Sequence, residues 1–261
     1  MTAHSQRQPA IFLPHGGGPC FFMDWTWGPA DTWHATHRFL ETISSTLPQP
    51  PRAIVVVSGH WEDAAFTAGA APSPGLIFDY SGFPVHTYRL TWPAPGNPVL
   101  AARVAELLQK AGLPSAISLD RGYDHGVFVP LKVGFPLADI PVVTLSLAAP
   151  AKGAFDPAMH IAAGRALAPL RDEGVLIVGS GMSFHNLRAY FRPETVEAAR
   201  AFDQWLTAAV ESPGSERKCT LCKLAERAVR TIQSSPRGTP RSAVCCRRRR
   251  RRRSRQTHLQ R

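Results

Sequence analysis

Four runs of continuous apolar, largely β-branched residues stand out in the first 181 positions: AIFLP at 10–14, AIVVVSG at 53–59, PVVTLSL at 141–147 and GVLIVGSG at 174–181. Apolarity without alternation marks a strand covered on both faces. Between the runs the apolar spacing changes to a period near 3.6. It predicts helices near 33–46, 97–111, 157–171 and 194–210, the last opening behind Pro193, a residue suited to a helix start. Strands alternating with helices predict an α/β fold, a single domain with a central, mostly parallel sheet flanked by helices. No internal repeat breaks this order. Proline and glycine gather at the strand ends, the edge at which such sheets carry their sites.

Four of the ten histidines share that setting. His15 follows IFLP and precedes GGGP, His60 follows IVVVSG and precedes WE, and His185 lies in VLIVGSGMSFHNL. The fourth, His125, sits in DRGYDHGVFVPL, which reads as a glycine-rich loop. Neutral imidazole binds divalent transition metals and needs an orienting partner for its second nitrogen. Asp124, Glu62 and Asn186 are the candidates for that task. A lone loop histidine is ordinarily a surface or structural residue, and His4, His34, His37, His86, His160 and His258 take that reading. For the four at strand ends, a shared metal site and separate structural roles both stay open, since no short-range signature such as H-E-x-x-H is present. Phe21, Phe22, Trp25 and Tyr123 are able to wall an aromatic pocket, but core packing is the more common fate of such side chains.

The motifs LPHGGGP, SGHWE, YDHGVFVPLK and GSGMSFHNL, with FDYSGFPVHTYRLTWPAPG at 78–96, resemble the class III extradiol ring-cleaving dioxygenases of the 4,5-DOPA dioxygenase type, over roughly residues 9 to 211. The resemblance implies one metal ion per chain, Fe(II) or Zn(II). It implies His15 and His60 as metal ligands and His185 as a further ligand or an acid/base beside the metal. His125 would lie over the substrate and move protons. The implied substrate is a catechol, DOPA-like, whose ring is opened with O2 in aromatic compound catabolism. Such chemistry needs a base near the metal, because a catechol must shed protons before its oxygens chelate. A non-catalytic metal-binding or small-molecule-binding descendant of the fold, and a zinc hydrolase, are the other classes that would use these residues.

The relatives implied by the resemblance also carry a histidine near the C-terminus, in a pattern like HPREEHLLPL, and this string is absent here. Charge shows where the sequence departs. The net charge is +11, yet from Pro213 onward sixteen Lys and Arg face two Asp and Glu, while the first 212 residues hold fourteen against seventeen. The excess therefore belongs to 212–261, which contains seven consecutive arginines, Arg247 to Arg253. That segment reads as a basic tail with too little apolar surface to order itself. Read one base out of frame, codons for Ser234 to Pro240 can spell His-Pro-Arg-Glu-Glu-His-Leu, so the tail is expected to be a frameshift product and the activity of this chain to be impaired. A tail that neutralises phosphates is the competing reading. The tail has no aromatics to stack on bases, so nucleic acid is not an expected partner beyond it. CTLC at 219–222 with Cys245 and Cys246 is chemically able to form a zinc knuckle. One cysteine, Cys20, in the body fits a reducing compartment. With no long apolar run and no basic-then-apolar leader, the expectation is a cytoplasmic protein without a membrane partner.

Overall fold

The computed structural model describes residues 6–150, 155–184 and 192–223. β1 (Ala10–Pro14), β2 (Ala53–Asp63), β3 (Phe66–Gly69), β4 (Ser115–Ser118), β5 (Val142–Ala148) and β6 (Val175–Gly181) form one sheet. Its order is β1-β6-β2-β5-β3-β4. The β1/β6, β6/β2, β2/β5 and β3/β4 pairs are parallel, and β3 meets β5 antiparallel. The four strands predicted from apolar runs form the contiguous block β1-β6-β2-β5. The two that the pattern did not show are four residues each. β4 is half exposed along its length, so it carries no apolar run.

Both faces of the sheet are covered at β2, β5 and β6, which accounts for their unbroken apolarity, whereas the edge strand β1 leaves Phe12 57% exposed. Ile54 and Val56 point to one core with Leu13, Leu176, Val178, Val127 and Phe128. Their neighbour Val55 points to a second core with Phe66, Val104, Leu108, Val143 and Leu145. Each such side chain stabilises the fold by about 1.5–3 kcal/mol relative to exposure.

The helices are α1 (His34–Thr46), α2 (Pro98–Lys110), α3 (His125–Gly134), α4 (Pro157–Ala166), α5 (Pro169–Asp172), α6 (Glu194–Glu211) and α7 (Gly214–Leu221). α2 and α4 open on proline, and the side chains of Asn97 and Asp156 accept from Leu100 N and Ala158 N at 3.0 and 2.9 Å. The single helix predicted over 157–171 is split in two, because Pro169 has no N–H to continue the ladder. Among the described residues no helix is long and apolar enough to cross a membrane. α7 lies within the segment assigned to the basic tail and buries none of its residues.

α3 departs from the sequence reading. The stretch read as a loop around His125 is a helix, and His125 is its first residue. Eight of its ten residues are buried, so it shows no polar face for a period to reveal. Gly126 and Pro130 further lower its helical propensity.

Candidate metal centre

The sheet order places the first two histidines. β6 lies between β1 and β2, with Leu13 and Ser58 both in register with Ser180. His15 and His60 each follow two residues later, so they leave the same edge of the sheet two strands apart. That separation is about 10 Å along the sheet, which two imidazoles reaching inward can bridge. Their Nε2 atoms are 3.0 Å apart. The start of α3 brings in the third ring: the His60–His125 and His15–His125 centroids are separated by 3.9 and 5.3 Å. One ring nitrogen from each of His15, His60 and His125 lies within 4.8 Å of the other two.

Hydrogen bonds define which nitrogens are available. Pro130 has no N–H for the carbonyl of Gly126, four residues earlier, and the Ser180 hydroxyl donates to that carbonyl instead. With its hydrogen committed there, Ser180 Oγ is an acceptor for His15 Nδ1–H at 3.2 Å. His15 Nε2 is then left as a lone pair, directed at His60. Asp79 serves the other two rings. Its Oδ1 accepts from His125 Nδ1 at 2.7 Å and from His125 N at 2.9 Å, while its Oδ2 stands 3.7 Å from His60 Nδ1. Burial alone would raise the Asp79 carboxyl, but hydrogen bonds and charge from His125, with a smaller contribution from His60, outweigh it and hold the group at about 2. An ionised carboxylate only accepts, so His125 carries its hydrogen on Nδ1 and keeps Nε2 as a base or ligand.

These donors fit a divalent transition cation. Two nitrogens bound at about 2.0–2.1 Å and at right angles stand about 3.0 Å apart, the separation seen here. Converging imidazole lone pairs backed by a carboxylate and a hydroxyl are the donor set such ions favour. Of the imidazoles singled out in the sequence, His185 lies outside the described residues, as does Asn186. The expected orienting role of Asp124 is corrected: its two oxygens take Ser58 Oγ and Arg121 Nη2, both at 2.8 Å, and no imidazole. Glu62 lies beside His60 on the wall of a cavity of about 580 Å³ that Asp63, Ala64 and Ala149 complete.

Asp79 and Ser180 are the residues that sequence reasoning missed. Asp79 lies within the quoted FDYSGFPV stretch, but it is 46 positions from the histidine it binds. Tyr123 takes the core-packing reading. It is 1% exposed, and its single hydroxyl hydrogen is shared between the carbonyls of Pro95 and Val142, each at 3.1 Å. Tyr80 is the phenol near the cluster, 5.8 Å from the His125 ring. Desolvation pushes its pKa up to about 12, and its hydroxyl donates to the Thr87 carbonyl at 2.7 Å.

The chain that carries this histidine cluster is similar to known proteins. Residues 9–246 match the family described as the catalytic LigB subunit of aromatic ring-opening dioxygenase. The chain belongs to that family. It is 44% identical over 184 residues to the dioxygenase tasH of Hapsidospora irregularis, covering 69% of this chain and 56% of that protein. It is 38% identical over 200 residues to the 4,5-DOPA dioxygenase extradiol of Portulaca grandiflora, covering 76% and 70%. With the protein of that name from Escherichia coli K12 the identity is 40% over 187 residues, covering 70% and 62%. The matched stretch thus spans little more than half to about two thirds of these relatives' own lengths. The fold also matches the crystal structure of an uncharacterized protein, JW3007, from Escherichia coli K12, with a TM-score of 0.51 and 30% identity over 74% of this chain and 80% of that one.

Proposed function

We propose that the chain binds one Fe(II) or Zn(II) ion at the histidine cluster and, with iron, opens the ring of a DOPA-like catechol with O2. The observation that carries this reading is the approach of the His15, His60 and His125 nitrogens to within 4.8 Å of one another in a chain of the ring-opening dioxygenase family. His15 and His60 would hold the ion, their Nε2 atoms being the converging pair. His185 would complete the set or act as a base beside it. A bound Fe(II) would supply Lewis acidity and redox chemistry that no side chain has. His125 supplies the proton handling. Tied through Nδ1 to Asp79, it has Nε2 available to take a proton from a catechol hydroxyl and return it later. Tyr80, protonated at any physiological pH, stands 5.8 Å from the His125 ring and would form part of the wall against which a planar substrate rests.

The test is anaerobic loading with Fe(II), then addition of air and DOPA, with oxygen uptake and the yellow ring-opened semialdehyde as readouts. His15→Ala is expected to abolish both together with metal retention, and His125→Ala to keep the metal but slow turnover by about 10²–10⁴-fold. Because the activity of this chain is expected to be impaired, the deciding control is a chain whose codons for Ser234 to Pro240 read His-Pro-Arg-Glu-Glu-His-Leu. Metal retention with no oxygen uptake from any catechol in both chains would overturn the dioxygenase reading and leave a binding protein or a zinc hydrolase.

A further inference from the structure

Ser58 and Ser180 are register partners on adjacent strands, β2 and β6, and both are buried, at 0% and 3% exposure. Buried hydroxyls in a parallel sheet need a reason, because each must be hydrogen-bonded to be tolerated. Both reach the same object, the first turn of α3. Ser180 Oγ donates to the carbonyl of Gly126, the second residue of that helix. Ser58 Oγ donates to Asp124 Oδ1, on the residue just before it, at 2.8 Å.

Asp124 occupies the position that usually caps a helix, yet its side chain makes no capping bond. It is fully buried, held between Ser58 and Arg121, and the Arg121 guanidinium lies 4.7 Å from the centroid of the Trp61 ring. A helix cap has been given up for a bond to the sheet.

Each serine has a second contact, and each leads to an imidazole. Ser180 accepts from His15 Nδ1. Ser58 accepts from the backbone N–H of His60 at 3.2 Å. That N–H lies where β2 departs from β5: the pairing jumps from Val57–Leu145 to Glu62–Leu147. The irregularity turns the His60 segment away from the regular ladder, and Ser58 supplies an acceptor within it. We propose, on the metal-cluster reading given above, that Ser58 and Ser180 are positioning residues. They clamp the first turn of α3 to β2 and β6 and thereby set the distances among His15, His60 and His125. Neither touches substrate or supplies a metal ligand. Ser58 acts on His60 through its backbone and on His125 through Asp124.

The test uses the full chain and zinc alone. Ser58→Ala and Ser180→Ala are compared with Val104→Ala, which trims a fully buried side chain in the opposite core, on α2. Zinc affinity is measured by competition with a chromophoric chelator, and the imidazole 1H–15N resonances are recorded without metal. Each serine variant is expected to weaken zinc binding by about 10–100-fold. Ser58→Ala should also shift the His60 and His125 imidazole signals while leaving His160 unmoved. Val104→Ala should lower the melting temperature with zinc affinity unchanged within about twofold, which separates positioning from general loosening of the fold. Serine variants that bind zinc as tightly as the unmodified chain, or Val104→Ala losing as much affinity as they do, would overturn the inference. If the unmodified chain holds no zinc, the metal reading fails. The metal-free resonances then decide the clamp alone, and unmoved His60 and His125 signals in Ser58→Ala would sink it.

Discussion

Replacing Gly126 by alanine probes how closely the centre is packed. Gly126 is in the first turn of α3, and an added Cβ would lie 2.9 Å from His60 Cδ2 and 3.1 Å from both Asp124 Oδ1 and Ser58 Oγ. Carbon atoms are at ease at about 3.5–4.0 Å, so the His60 ring must retreat by roughly 0.6–1 Å. The two oxygens cannot yield freely, because they are bonded to each other and the carboxylate also holds Arg121. Overpacking of this kind costs about 1–3 kcal/mol. Against it stands the usual gain of about 0.5–1 kcal/mol from replacing a helical glycine with alanine. Gly164 in α4 has nothing within 4 Å of an added Cβ, so Gly164→Ala isolates that gain. Urea unfolding should therefore show Gly164→Ala stabilised and Gly126→Ala destabilised by about 1–2 kcal/mol net. Chelator competition should show a larger effect in Gly126→Ala, because a displacement approaching 1 Å in a working site costs on the order of 10²-fold. A Gly126→Ala chain as stable as Gly164→Ala, with zinc affinity within twofold of the unmodified chain, would refute the close approach of α3 to His60.

Asp79 has a carboxyl held at about 2 when folded, against about 3.9 in an unfolded chain. A depressed folded value contributes stability above the unfolded pKa that is lost as pH falls from about 4 through about 2. The stability difference between the unmodified chain and Asp79→Asn should thus be about 1–2 kcal/mol at pH 5, after allowance for solvent screening of the partly exposed group, and should shrink toward pH 2. A difference that persists undiminished at pH 2 would exclude the ionised carboxylate as its source. Cys20 is 4% exposed and burial pushes its thiol up to about 12, so iodoacetamide at pH 8 should leave it unmodified in the native chain and label it after unfolding, as read by peptide mass spectrometry. A gene edited so that the codons of Ser234 to Pro240 read His-Pro-Arg-Glu-Glu-His-Leu should yield a chain that holds zinc more tightly and consumes oxygen with DOPA faster than the present one. Equal affinity and rate would remove the frameshift reading of the tail.

The strands β6, β2 and β5 were legible in the sequence because strands covered on both faces have few polar positions to hide them, and the edge strand β1 was legible by its apolar run although Phe12 is exposed. His15 and His60 were legible for the same reason, since each follows such a run. The resemblance of the ordered motifs to extradiol dioxygenases added the chemistry, and the family match agrees with it. α3 was not legible, because a helix buried on nearly every side has no amphipathic period and carries both a glycine and a proline. The partners of the imidazoles depended on tertiary structure altogether. Asp124 adjoins His125 in sequence, but its side chain turns to Ser58 and Arg121. Asp79 reaches His125 across 46 positions, and Ser180 reaches His15 across 165. Sequence periodicity records which face of an element meets the core. Which buried donor meets which acceptor is decided when separate elements pack, and that choice leaves no periodic trace in the chain.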